Sequence, residues 1–254
     1  VARTIGYDNL PTTSLSTPIP TYRPQPDRNL RERVKDMMVG CSMQEVISYS
    51  LTSLAALEKT RAMNDYVQPL KLTNPMSEEQ EYLRTSLRSS ILSTLAVNQY
   101  NVREGIKLFE VGRVYIPRPA DLPLERETLV GVLAGPRWSE SWLEGEEALD
   151  FFDAKGILES CFVQLQLRSS FKPREDPLFL PGRCAEIVIG NSALGVLGEV
   201  HTEALKRFEI GTAPVALFEL DLTALLQAVP LETSQHHQIP RYPGAYRDLA
   251  VVLN

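Results

Sequence analysis

The sequence predicts an α+β domain built on a mixed, largely antiparallel sheet flanked by helices. Three observations carry that expectation. Residues 106–116 are apolar on both sides: Ile106, Leu108, Val114 and Ile116 alternate with Phe109, Val111 and Tyr115. Strands of that kind lie central in a covered sheet. Residues 128–134 (TLVGVLA) repeat the pattern beyond a proline-broken loop at 117–123, so they are placed to pair antiparallel with 106–116. Further strand patterns then follow one another, near 169–172, 183–189 and 194–200. Strict β-α-β alternation is absent, which disfavours a doubly wound fold.

Residues 1–5 read as the last turn of a helix with nothing capping it upstream, so the sequence is expected to begin inside a larger protein. Residues 6–9 turn the chain. Pro11, Pro18, Pro20, Pro24 and Pro26 make 11–27 an extended linker. Asp27 is placed to cap a helix over 28–39, with Leu30, Val34, Met37 and Met38 at helical spacing and Gly40 as the closing C′ glycine. Residues 45–51 alternate as a strand, 53–59 make a short helix and 67–72 another strand. Asn74 and Pro75 form a turn, and Ser77 with Gln80 suits a capping box. Residues 83–116 run as a short strand, a helix, a polar turn and the central strand. An amphipathic helix follows at 151–165, with Gly156 inside it at some cost. Thr202 caps a short helix over 202–208, 215–220 is a strand and 222–228 a last helix. Pro240 and Pro243 mark a second hinge, after which 246–253 (YRDLAVVL) begins a new strand.

Composition is ordinary for a soluble globular chain of 254 residues: 43% hydrophobic and 23% charged. No apolar run approaches the roughly 18 residues of a membrane span, and no signal peptide is visible. Cys41, Cys161 and Cys184 lack zinc spacing and read as reduced thiols of a cytoplasmic protein. The net charge of −6 is unevenly spread. Residues 1–35 hold six Arg/Lys against three Asp/Glu, whereas 119–160 hold three against ten. The basic arm suits either a phosphate backbone or plain solvation, and the overall acidity counts against a free nucleic-acid binder.

Glu110 is the odd residue of the central strand, because a carboxylate on a covered face needs a partner. A backbone amide, a hydroxyl, Arg84 or Arg113 is expected to supply it. Other constellations are weaker. His201 with Glu199 or Asp153 lacks a nucleophile at informative spacing. His236 and His237 are adjacent in a polar loop and point apart, unlike a metal pair. Glu144, Glu146, Glu147, Asp150 and Asp153 read as a solvated acidic loop or a weak Mg²⁺ attractor. Trp138 and Trp142 either anchor that loop or stack on a base. No P-loop is present, and GVLG at 195–198 is too short for a dinucleotide fingerprint.

Eight stretches in order carry a resemblance: GYDNLPTT (6–13), GCSMQEVISYSL (40–51), LTNPMSEEQEYLRTSL (72–87), IKLFEVGRVY (106–115), DFFDAKGILE (150–159), PGRCAEI (181–187), LGVLGEVH (194–201) and RYPGAYRDLAVVL (241–253). Together they resemble the beta subunits of bacterial phenylalanyl-tRNA synthetases over essentially the whole chain. The resemblance implies a class II aminoacyl-tRNA synthetase-like sheet. It also implies a layout: 1–10 as the end of a B5 domain, 11–27 as linker, 28–235 as a catalytic-like core, and 236–254 as hinge and first strand of a ferredoxin-like anticodon-binding domain. The family's magnesium-binding B5 acids would precede Val1, and its editing domain lies upstream.

Active class II sites hold ATP phosphates with an arginine from a Phe-Arg-x-Glu strand, because charge gathers there in the transition state. This sequence has no Phe-Arg pair; Glu110 follows Phe109 instead. Arg207 is a faint counterpart of a second phosphate-binding arginine. The resemblance therefore implies a non-catalytic part with no catalytic residue and no cofactor or metal of its own. Such a part would support ATP- and Mg²⁺-dependent attachment of phenylalanine to tRNA(Phe) by an alpha subunit in an α₂β₂ assembly, away from any membrane. It names Leu30, Val34, Met37 and Met38 as subunit-interface candidates, although an intramolecular core explains the same stripe. Arg241 and Arg247 are tRNA-contact candidates, with salt bridges as the competing reading. The alternatives are an independent adenylate-forming ligase and a free tRNA-binding module.

Overall fold

The computed structural model describes residues 2–12, 16, 18–19, 21, 25–60, 68–102, 104–119, 121–138, 147–230, 241–242 and 244–250. In chain order the elements are helices α1 (Ala2–Ile5) and α2 (Pro26–Gly40), strands β1 (Gln44–Glu45) and β2 (Leu51–Thr52), helix α3 (Leu54–Lys59), strand β3 (Tyr82–Leu83) and helix α4 (Arg88–Asn98). Strands β4 (Ile106–Arg118) and β5 (Asp121–Ala134), helix α5 (Phe151–Gln164) and strands β6 (Ser169–Pro173), β7 (Phe179–Ile189) and β8 (Ser192–Val200) follow. Helix α6 (Thr202–Arg207), strand β9 (Val215–Asp221) and helix α7 (Leu222–Ala228) complete them.

The fold is α+β, as the patterns predict. Seven strands form one sheet in the order β1–β4–β5–β9–β8–β7–β6. Only the β1–β4 pair is parallel; the other neighbours run antiparallel. Period-two alternation splits each central strand between two cores. Phe109 and Val111 of β4 pack with Leu129, Leu197 and Phe218 under α2, α5 and α7. Leu108 and Val114 pack on the opposite face with Val130, Val132 and Leu217 under α4 and α6. A strand apolar on both faces is thus buried on both faces.

Several local expectations are corrected. The 117–123 stretch is not an open loop: β4 extends to Arg118 and β5 starts at Asp121, with Arg118 opposite Asp121 and an irregularity in register between Ile116 and Arg118. Pro117 and Pro123 sit in the protruding part of that ribbon, beyond the β5–β9 pairing, where a missing N–H is tolerated. Asp27 is not the cap of α2; the helix starts at Pro26, whose fixed φ suits a first helical position, and Gln25 precedes it. Gly40 lies within the helix, and the left-handed residue after it is Ser42 at φ 62°. The 45–51 strand is broken: β1 ends at Glu45, and residues 46–50 leave regular pairing to bring Ser48 toward Glu110. Of the 67–72 strand, Val67 lies outside the described residues and Lys71 makes a single antiparallel bridge to Tyr82. Ser77 precedes a 3-10 turn at Glu78–Gln80 without a side-chain cap. His201, rather than Thr202, caps α6 by accepting from the Glu203 amide at 3.1 Å. Residues 246–250 form no strand, and 251–253, like Pro240 and Pro243, lie outside the described residues.

Candidate functional site

The face under α4 carries Glu110 and Arg84, the two most buried charged residues among those described. Glu110 stands opposite Val130, and Val130 opposite Glu219, so two carboxylates share one row across β4, β5 and β9. Two strand spacings, about 10 Å, separate them. The short segment after β3 supplies an arginine to one and the first residue of α4 an arginine to the other. Arg84 Nη1 donates to Glu110 Oε1 at 2.8 Å, and Arg84 Nε donates to the Arg113 carbonyl at 2.8 Å. The Ser48 hydroxyl donates to Glu110 Oε2 at 2.7 Å and accepts from Arg84 Nη1 at 2.8 Å. Side-chain exposures of 4% for Arg84 and 3% for Glu110 mark this as an interior ion pair.

Four residues later, Arg88 Nε donates to Glu219 Oε2 at 2.6 Å and Nη1 to Asp176 Oδ2 at 2.8 Å. Glu219 Oε1 also accepts from the Ser86 hydroxyl at 2.8 Å. Burial works against the Arg88 charge, but Glu219 and Asp176 outweigh it and raise its pKa. Gly112 makes the packing feasible. A Cβ there would collide with the Arg84 guanidinium and lie 3.1 Å from Glu110 Oε1.

This layer does not fit a nucleotide or its metal. Phosphate-holding cations must be free to meet developing negative charge, yet both arginines are bound to carboxylates of their own chain. Among the described residues, no group of three or more His, Cys, Asp or Glu side chains is arranged to hold a metal ion. The groove of about 920 Å³ beside the start of α2 mixes its charges; Arg31 pairs with Glu127 at 3.1 Å and Arg113 with Glu125 at 2.8 Å. A second hollow, about 500 Å³, is lined by Glu175, Asp176 and His201, which suits no phosphate.

The expected partners of Glu110 are present: a hydroxyl, an amide and Arg84. Arg113 contributes only its carbonyl, since its own guanidinium meets Glu125. Leu30, Val34, Met37 and Met38 are all buried in the chain's own core, with Met37 Sδ 3.5 Å from Cys161 Sγ. The intramolecular explanation of that stripe is therefore the one seen. Arg241 and Arg247 are exposed. Arg207 is turned to the Glu58 carbonyl at 3.4 Å, and Glu199 accepts from Arg183 at 2.6 Å. Asp150 and Asp153 form the capping box of α5, with Arg137 on Asp153 at 2.9 Å, which is a structural use of two acids read as loop charges. Trp138 is half exposed. Trp142, Glu144, Glu146, His236 and His237 lie outside the described residues.

Sequence reasoning missed Arg88, Glu219, Asp176 and Ser48. The signal for Glu219 was available, because it is a lone carboxylate in a strand apolar on both sides, as Glu110 is. Asp176 comes from a loop that no periodicity places, and Ser48 from the 45–51 stretch, whose alternation reads as one strand but is broken at 46–50.

Fold and site define an α+β module whose covered polar layer is closed by its own ion pairs. The family model described as "Phenylalanyl tRNA synthetase beta chain CLM domain" matches residues 10–222. The chain belongs to the phenylalanyl-tRNA synthetase beta-chain family. Among curated relatives, the phenylalanine–tRNA ligase beta subunit of Dehalococcoides mccartyi is 36% identical over 254 residues. That of Geobacillus kaustophilus is 36% identical over 260 residues, and that of Halalkalibacterium halodurans 34% over 265. Each comparison covers 100% of this chain but only 31–32% of the relative.

Proposed function

We propose that this chain is the non-catalytic, structural and subunit-contacting part of a phenylalanine–tRNA ligase beta subunit. It supports ATP-dependent attachment of phenylalanine to tRNA by an alpha subunit that holds the reacting groups, ATP and Mg²⁺. The observation that carries this reading is the closed layer: Arg84 and Arg88, the arginines at the entry to α4, are consumed by Glu110, Glu219 and Asp176. Family membership supports the class II-like ancestry of the sheet and the α₂β₂ assembly in the cytoplasm. It also supports 1–10 as the end of a B5 domain, 28–235 as the catalytic-like core and 236–254 as the approach to an anticodon-binding domain. Arg241 and Arg247, exposed and within that last stretch, are the proposed tRNA contacts.

The test is phenylalanine-dependent ATP–pyrophosphate exchange. The purified chain alone is expected to give none, and the full-length beta chain with its alpha subunit is expected to give activity. Exchange by the isolated chain at a rate that follows its concentration would overturn the assignment in favour of an independent adenylate-forming ligase.

A further inference from the structure

We draw no further inference here: the strongest candidate, the surface patch on the open sheet edge just after β1, where Ile47 is 89% and Tyr49 78% exposed, carries nothing because nothing in the structure shows what covers it.

Discussion

Glu110→Gln is the sharpest probe of the layer beneath α4. The carboxylate accepts from Arg84 Nη1 at 2.8 Å, from the Ser48 hydroxyl at 2.7 Å and from the Ser48 amide at 3.4 Å. Glutamine keeps the size and one acceptor but removes the charge, leaving a guanidinium 4% exposed with neutral acceptors only: the Arg113 and Tyr49 carbonyls, the Ser48 hydroxyl and the glutamine carbonyl. Breaking a buried pair from one side costs about 3–5 kcal/mol, because the remaining charge is stranded. The isosteric change belongs near the lower end, about 3 kcal/mol. Adding Arg84→Met removes the stranded charge. The double variant is then expected within about 1–2 kcal/mol of the unaltered chain, the residue being two carbonyls that lose a donor. Urea unfolding at neutral pH measures all four corners of the cycle; with Arg84→Met alone also costing about 3 kcal/mol, the coupling should be about 4–5 kcal/mol. A Glu110→Gln variant within about 0.5 kcal/mol of the unaltered chain would refute the reasoning, since surface positions behave that way.

Two further outcomes follow from the same geometry. Asp150→Ala should cost about 1–2 kcal/mol, because its carboxylate accepts from the Phe152 amide at 2.8 Å and the Asp153 amide at 3.2 Å; thermal melting and faster amide exchange confined to the first turn of α5 check this. Burial pushes the Cys161 thiol up to about 12 and the Cys184 thiol up to about 11. Unfolded thiols ionise from about pH 9, so the unfolded state binds fewer protons than the native one above that pH. Stability should therefore fall as pH rises from about 9 to 12, by up to about 1.4 kcal/mol per pH unit per thiol. Urea midpoints across that range check the slope, which should flatten when both cysteines are replaced by alanine.

The central strand was legible because burial on both sides leaves no polar residue to blur its period. The antiparallel partner at 128–134 was legible for the same reason. Helix ends were less so. Asp27 and Thr202 have the right side chains for caps, but Pro26 pre-sets the start of α2 and His201 reaches the Glu203 amide first. The ion-pair layer was half legible. Glu110 announces itself as a charge in an apolar strand, and Arg84 lies within the segment that crosses that face. Asp176 sits in a turn and meets Arg88 across 88 residues of sequence, a juxtaposition fixed by the sheet order and by no local pattern. The stripe Leu30, Val34, Met37 and Met38 illustrates a different ambiguity: periodicity reports that a helix face is covered, not what covers it.

On the proposed reading, a face of this kind disfavours anionic ligands by energy. For an anion to recruit Arg84 and Arg88 it must first detach Glu110 from one and Glu219 with Asp176 from the other. Each detachment strands buried carboxylates at about 3–5 kcal/mol, or roughly 6–10 kcal/mol for the two sites. Micromolar binding corresponds to about 8 kcal/mol in total, so the opening would consume most or all of an ordinary nucleotide's affinity. Removing the arginines would abolish binding equally well but would leave the row of carboxylates unpaired under α4. Keeping each arginine and giving it a carboxylate instead closes the face and ties β4 and β9 to the segment that leads into α4. Gly112 belongs to the same arrangement, because a Cβ there would collide with the Arg84 guanidinium. The proposed loss of chemistry and the tying of β4 and β9 to the start of α4 thus have one physical cause.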